Sequence, residues 1–156
     1  MSADSATQVS IIETKGLGDR GYIVHDGQSA LVVDPPRDFD RVEEIVDELG
    51  ITITHVGETH LHNDYVTGGY QLAKKHQAQY LVPAGVDVAF GDEAFVQAVG
   101  GGSQLHVGGL RVDVVHTPGH TPHHISFAVA GADGLGAVFT GDRKSTRLNS
   151  SHQIIS

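Results

Sequence analysis

The 156-residue chain contains no cysteine. Disulfides and thiolate metal sites are therefore excluded, and any metal must be held by histidine nitrogen and carboxylate oxygen. Cationic residues are also scarce: 10 Lys and Arg stand against 19 Asp and Glu, for a formal charge of −9. That balance argues against a broad phosphate-binding surface, because nucleic-acid binding depends on Lys and Arg neutralising the backbone. No apolar run approaches the roughly 18 residues that a membrane span needs. The opening MSADSATQ lacks a basic region followed by an apolar stretch. The expectation is a cytoplasmic protein with neither nucleic acid nor membrane as a partner.

The composition that remains is that of a globular protein, on a length that suits one domain with a sizeable core. VSII (9–12), GYIVHD (21–26) and ALVVDP (30–35) read as three strands, the last two joined by the turn signal Asp26-Gly27. After Pro35-Pro36 the period becomes helical over 38–49. Phe39, Val42, Ile45, Val46 and Leu49 share one face there, and Gly50 stands at the C-cap position. ITITHV (51–56) is strand-like, a second helix is predicted over 66–77, and QYLVP (79–83) is another short strand. No element is assigned to 84–103, where AVGGGS (98–103) has the composition of a loop. LHVGGLRVDVVH (105–116) predicts a hairpin about Gly108-Gly109, with further strands at ISFAVA (125–130) and AVFT (137–140). Runs of strands with helices between them predict an α+β or mixed α/β layered sandwich. The tail RKSTRLNSSHQIIS is polar, with no strand or helix period until a last Ile-Ile. It reads as unstructured or foreign to the domain, so residues 1–142 are assigned to the domain and 143–156 to the tail.

Three polar clusters each follow a predicted strand, where loops on a rigid scaffold usually gather function. ETHLHNDYVTGG (58–69) puts His60, His62 and Asp64 on alternate positions. Alternate residues of an extended chain point the same way, so His60 and His62 can aim at one point. Asp64 can join them or hold a ring N–H. By itself this stretch also fits surface histidines in a polar loop. HTPGHTPHH (116–124) adds His116, His120, His123 and His124 around two prolines, and TGD (140–142) adds Asp142. Three clusters of such donors argue for a metal.

In this order and spacing, the clusters resemble the metallo-β-lactamase superfamily, whose fold is an αββα sandwich with metals at the sheet edge. Within it the chain resembles the persulfide dioxygenase branch, especially the metallo-β-lactamase domain of bacterial proteins in which rhodanese domains follow. DRGYIVHDGQSALVVDPPRDFDRV, THVGETHLHNDYVTGG, QYLVPAGVDVAF and GGLRVDVVHTPGHTPHHISF carry that likeness over most of residues 9–142. The resemblance implies that His60, His120 and Asp142 hold a single ferrous ion, Fe(II), with His62 and Asp64 orienting the ligands and bound water. The function implied is oxidation of glutathione persulfide, or a related thiol persulfide, to sulfite. Two histidines and one carboxylate leave about three positions open, as non-haem iron that activates oxygen requires. In binuclear hydrolases such as glyoxalase II, the first motif ends Asp-His and that histidine binds a second ion. Tyr65 stands there instead, and a phenol with a pKa near 10 is a poor replacement. The alternative implied is a Zn(II) hydrolase of glutathione thioesters, with His62 and Asp64 also ligating. A metallo-β-lactamase-fold nuclease is disfavoured by the acidic charge and by Tyr65.

His25, His55, His76 and His106 lie outside the motifs and read as strand-edge or surface residues. His116 is expected to brace the loop, His123 and His124 match no ligand of the family pattern, and Asp34 before Pro35-Pro36 reads as a turn residue. Gly68 and Gly69 are expected to permit close packing, since no strand–GxGxxG–helix context surrounds them. Members of the family continue well past the Gly-Asp motif. The chain is therefore expected to be truncated, with apolar sheet surface exposed and Asp142 short of support. The 143–156 stretch resembles one appended to unrelated truncated reading frames and is expected to be artefactual, so an inactive fragment is a further alternative.

Overall fold

Residues 30–33 are apolar at every position, a pattern that suits a strand buried on both faces. The computed structural model of the chain describes residues 8–13, 20–36, 38–59, 68–85, 94–117, 124–131, 136–139, 147–148 and 152–155. The first of two six-stranded sheets runs β1 (Gln8–Glu13), β2 (Arg20–His25), β3 (Ser29–Val33), β4 (Thr52–Gly57), β5 (Gln79–Pro83) and β6 (Val96–Val99) in spatial order. β1, β2 and β3 are antiparallel, whereas β3 to β6 are parallel. Parallel neighbours need crossovers. For the first two pairs these are α1 (Asp40–Leu49), between β3 and β4, and α2 (Gly68–His76), between β4 and β5. The second sheet holds β7 (Gln104–Val107), β8 (Leu110–His116), β9 (Ile125–Ala130), β10 (Gly136–Phe139), β11 (Arg147–Leu148) and β12 (His152–Ile155). Its order is β11-β12-β10-β9-β8-β7.

The alternation of side chains along β2 and β3 divides the apolar residues into two cores. Ile23, Ala30 and Val32 face the helices and meet Val42, Val46, Leu72 and Tyr80. Tyr22, Val24, Leu31 and Val33 face the second sheet and meet Val112, Val114, Ile125, Phe127 and Phe139. The Tyr22 and Phe139 rings lie 5.2 Å apart across that interface. Each such side chain contributes about 1.5–3 kcal/mol when fully buried. Helices, first sheet and second sheet form three layers of a mixed α/β sandwich. Among the described residues no helix covers the outer face of the second sheet. Expected apolar exposure is confined there, among the described large hydrophobics, to Val115, 43% exposed.

Two local expectations are corrected. Leu49, placed on the buried face of α1, is 46% exposed. The helix ends at Gly50, whose φ of 67° lets its N–H reach Asp47 O while the Ile51 N–H reaches Val46 O. That turn carries Ile51, rather than Leu49, into the core. Residues 98–103 are not wholly loop, since Val96–Val99 pairs in parallel with β5. In the tail, read as unstructured or foreign to the domain, β12 pairs in parallel with β10 and β11 pairs with β12. An open strand edge recruits an extended β-branched segment, and β12 contains the Ile-Ile pair of the tail. No helix among the described residues is long and apolar enough to cross a membrane.

At the ends of the strands away from the histidine motifs, Asp26 joins the two sheets. Its carboxylate accepts from Gln28 N and Ser29 N, each at 2.8 Å, and from Gly109 N at 2.7 Å. Gly108 has a φ of 58°, and a Cβ there would overlap the same carboxylate. Beside it, His25 is buried and its Nδ1 accepts from Gly27 N at 3.1 Å. Burial pushes the His25 imidazole below its ordinary value of 6.5, against the opposing pull of the Asp26 charge. Burial lowers His55 as well. The unfolded chain therefore takes up these protons at a higher pH than the folded one. Stability is complete above the unfolded value and falls as pH drops through it towards the folded one. The melting temperature is expected to fall between about pH 7.5 and pH 5.5. His25→Asn, whose amide oxygen can accept from Gly27, should flatten that fall; an unchanged pH profile would contradict the assignment.

Candidate metal centre

The motifs depart from strand ends that are hydrogen-bonded to one another. β4 ends at Gly57 and continues through Glu58 and Thr59, directly before His60. Asp34 follows β3 with a φ of 50°, a left-handed conformation that Asp tolerates better than most residues. Its N–H donates to Gly57 O at 2.9 Å. Its carboxylate accepts from Thr59 N at 2.8 Å and from Thr59 Oγ1 at 2.6 Å. Asp34 is thus a turn residue, as the sequence suggests, and also a brace for the residue before His60.

Thr59 also reaches the second sheet, because its carbonyl accepts from Ile125 N at 2.8 Å. Ile125 starts β9, and the end of β8 lies opposite it, with His116 paired to Ile125. Thr117 N donates to His124 O at 3.0 Å, closing the base of the stretch that contains His120. Thr117 Oγ1 lies 2.8 Å from Ser126 Oγ and 3.3 Å from His124 Nδ1. β10 runs antiparallel to β9 and ends with Phe139 opposite Phe127, three residues before Asp142. The sheets approach so closely here that a Cβ on Gly57 would lie 2.7 Å from Phe127 Cζ. The roots of all three motifs therefore share one edge of the sandwich, at the carboxyl ends of β3, β4, β8 and β10. Open α/β sheets usually place their sites at such strand ends.

A second group lies under the start of α2. Glu58 is buried, and its carboxylate accepts from the hydroxyl of fully buried Tyr80 at 2.7 Å. A Cβ on Gly69 would overlap that carboxylate and press on the Tyr80 ring, so the close packing expected of the glycines is present at Gly69.

His60, His62, Asp64, Tyr65, His120, His123 and Asp142 lie outside the described residues. Among the described residues no three His, Asp or Glu side chains form a metal-holding group. Of the histidines set aside from sequence, His106 and His116 are exposed, and His76 lies 2.8 Å from Glu43 across the two helices. His55 is half-buried, with its Nδ1 2.8 Å from Thr54 Oγ1. His25 is buried, not a surface residue. Sequence reasoning did not single out Glu58, Thr59, Tyr80, Thr117 or Ser126. A partial signal existed for Glu58, a carboxylate directly after the strand end Val56-Gly57.

The model of the metallo-beta-lactamase superfamily matches residues 21–144. A hydroxyacylglutathione hydrolase of Albidiferax ferrireducens is 36% identical over 121 residues, 78% of this chain and 46% of that protein. Another, from Rhodopseudomonas palustris, is 34% identical over 134 residues, covering 78% and 51%. The chain thus spans about half the length of the curated relatives it matches. Among solved structures, a metallo-beta-lactamase from Staphylococcus aureus superposes with a TM-score of 0.73 at 31% identity, covering 87% of this chain and 43% of that one. ETHE1 from Myxococcus xanthus gives 0.66 at 28% identity, covering 85% and 56%.

Thr59→Val keeps the shape of the side chain but removes one donor to the Asp34 carboxylate. A hydrogen bond to a charged group contributes about 1.5–3 kcal/mol, and denaturant unfolding should show a loss in that range. Asp34→Ala should cost more, since it also places alanine in a left-handed conformation. Equal stability of the three proteins would contradict the brace.

Proposed function

The chain belongs to the metallo-beta-lactamase superfamily, and from that premise we propose that it carries the metal site of a mononuclear non-haem iron persulfide dioxygenase. The substrate class is glutathione persulfide or a related thiol persulfide. Tyr65 carries this reading: it stands where a binuclear hydrolase has the histidine of its second ion. A phenol must lose a proton to bind a metal strongly, and Asp64 alone cannot build a second site.

The donor set suits the metal. His60, His120 and Asp142 would supply two imidazole nitrogens and one carboxylate oxygen, the two-histidine, one-carboxylate face associated with non-haem Fe(II). Support comes from the hydrogen-bonded roots of these segments, Thr59 to Ile125 and Thr117 to His124, with Phe139 opposite Phe127. When bound, the iron would supply open positions for the terminal persulfide sulfur and for O2. His62 and Asp64 would orient ligands and water through hydrogen bonds. In the overall reaction a thiol persulfide, O2 and water give the free thiol and sulfite. The S–S bond breaks and the terminal sulfur is oxidised.

The likeness to hydroxyacylglutathione hydrolases favours a second reading, a zinc-dependent hydrolase of glutathione thioesters. There His62 and Asp64 would join the ligands, and the zinc would supply Lewis acidity and a water of lowered pKa. In either case the protein is read as cytoplasmic, acting on a small thiol-derived molecule. Rhodanese domains accompany such a domain in the bacterial proteins it resembles.

Metal content of protein made without oxygen, with iron and zinc both supplied, separates these readings. One iron per chain is expected, lost in Asp142→Ala, together with persulfide-dependent oxygen uptake that disappears in His120→Ala. Two zincs per chain, with thioester turnover and no oxygen uptake, would establish the hydrolase. A chain that binds neither metal would be a fragment without this activity.

A further inference from the structure

We propose that Glu58 is a positioning residue whose buried carboxylate fixes the separation between the two ends of the 60–67 segment. The proposal rests on the reading above for what that segment holds, and on described residues alone for how its ends are held. The segment leaves the first sheet after Thr59 and rejoins described structure at Gly68, the first residue of α2. Glu58 directly precedes one end, and Gly69 directly follows the other. The two are in close contact, since a Cβ on Gly69 would overlap Glu58 Oε2.

A carboxylate 6% exposed is costly unless it is hydrogen-bonded. Tyr80 Oη donates to it at 2.7 Å, and Tyr80 is itself fully buried on β5. Register fixes that partnership: Val56 pairs with Tyr80, and Glu58 N donates to Leu81 O at 3.0 Å. The carboxylate also lies against Gly69 in the first described turn of α2. Glu58 thus ties β4, β5 and α2 together at one point. Glycine at position 69 is what allows the helix to approach so closely.

Without this tie the strand end and the helix start can shift independently, and any donors between them lose their fixed spacing. Groups that hold metal ligands in place typically change metal affinity by about 10–100-fold when removed. Glu58 differs from the Asp34 brace, which holds Gly57 and Thr59 on the strand side of the segment.

The test uses the full chain and its Glu58→Ala, Glu58→Gln and Tyr80→Phe variants. Zn(II) affinity is measured by chelator competition, and amide hydrogen exchange over 58–69 is followed in the metal-free protein. Glu58→Ala should weaken Zn(II) binding by about tenfold or more and speed exchange over 58–69, with β8 and β9 unaffected. Glu58→Gln, which can still accept from the Tyr80 hydroxyl, should recover most of the lost affinity, and Tyr80→Phe should fall between. A Glu58→Ala protein that melts lower but keeps wild-type affinity and local exchange would reduce Glu58 to a core residue and overturn the proposal. If Glu58→Ala does not fold, Tyr80→Phe decides, and unchanged affinity and exchange in that variant overturn it. If the wild type binds no metal, the functional reading fails separately. Exchange then decides the role of Glu58, faster exchange over 58–69 upholding the tie and unchanged exchange refuting it.

Discussion

The backbone hydrogen bond from Ile125 N to Thr59 O, 2.8 Å long, joins the two sheets at the edge from which the histidine motifs depart. Apolar packing between the sheets is strong but non-directional, and sliding by a fraction of a residue would cost it little. A hydrogen bond between strand ends does not tolerate such sliding. Thr59 is fixed on its other side by the Asp34 carboxylate, so the residue before His60 is held from both sheets at once. At the far ends of the strands, Asp26 performs a similar service through Gly109. The sandwich is thus located at both ends by polar contacts, with the apolar core between them.

This arrangement separates the work of stability from the work of position. Two cores formed by alternating residues of β2 and β3 supply the burial. Three polar pairs described beside the candidate site are buried or half-buried: Asp34 with Thr59, Glu58 with Tyr80 and Thr117 with Ser126. Among the described residues no buried side-chain nitrogen or oxygen lacks a hydrogen bond. A metal site needs this kind of support, because ligand geometry a fraction of an ångström too loose weakens both affinity and chemistry.

Much of the architecture was legible because it rests on local pattern. The doubly apolar ALVV run, the Asp26-Gly27 turn, the Val42/Val46 face of α1 with Gly50 after it, and the hairpin at Gly108-Gly109 all signal themselves within a few residues. β6 did not, because Val96–Val99 owes its strand conformation to parallel pairing with β5 and two of its four residues are exposed. Leu49 misled because helical periodicity does not reveal where a terminal turn redirects the chain. At the site, the His and Asp spacing was visible, and so was Asp34 as a turn residue. The Glu58–Tyr80 contact was not, because it spans 22 residues and arises from the register of two parallel strands.

The most direct measurement of the metal centre is anomalous diffraction from a crystal of the chain grown anaerobically with iron and zinc both supplied. A single iron peak is expected in bonding contact with His60, His120 and Asp142, with Tyr65 unligated and the Thr59–Ile125 hydrogen bond intact. Two metal peaks about 3.5–4 Å apart, or a peak that engages Tyr65, would contradict it.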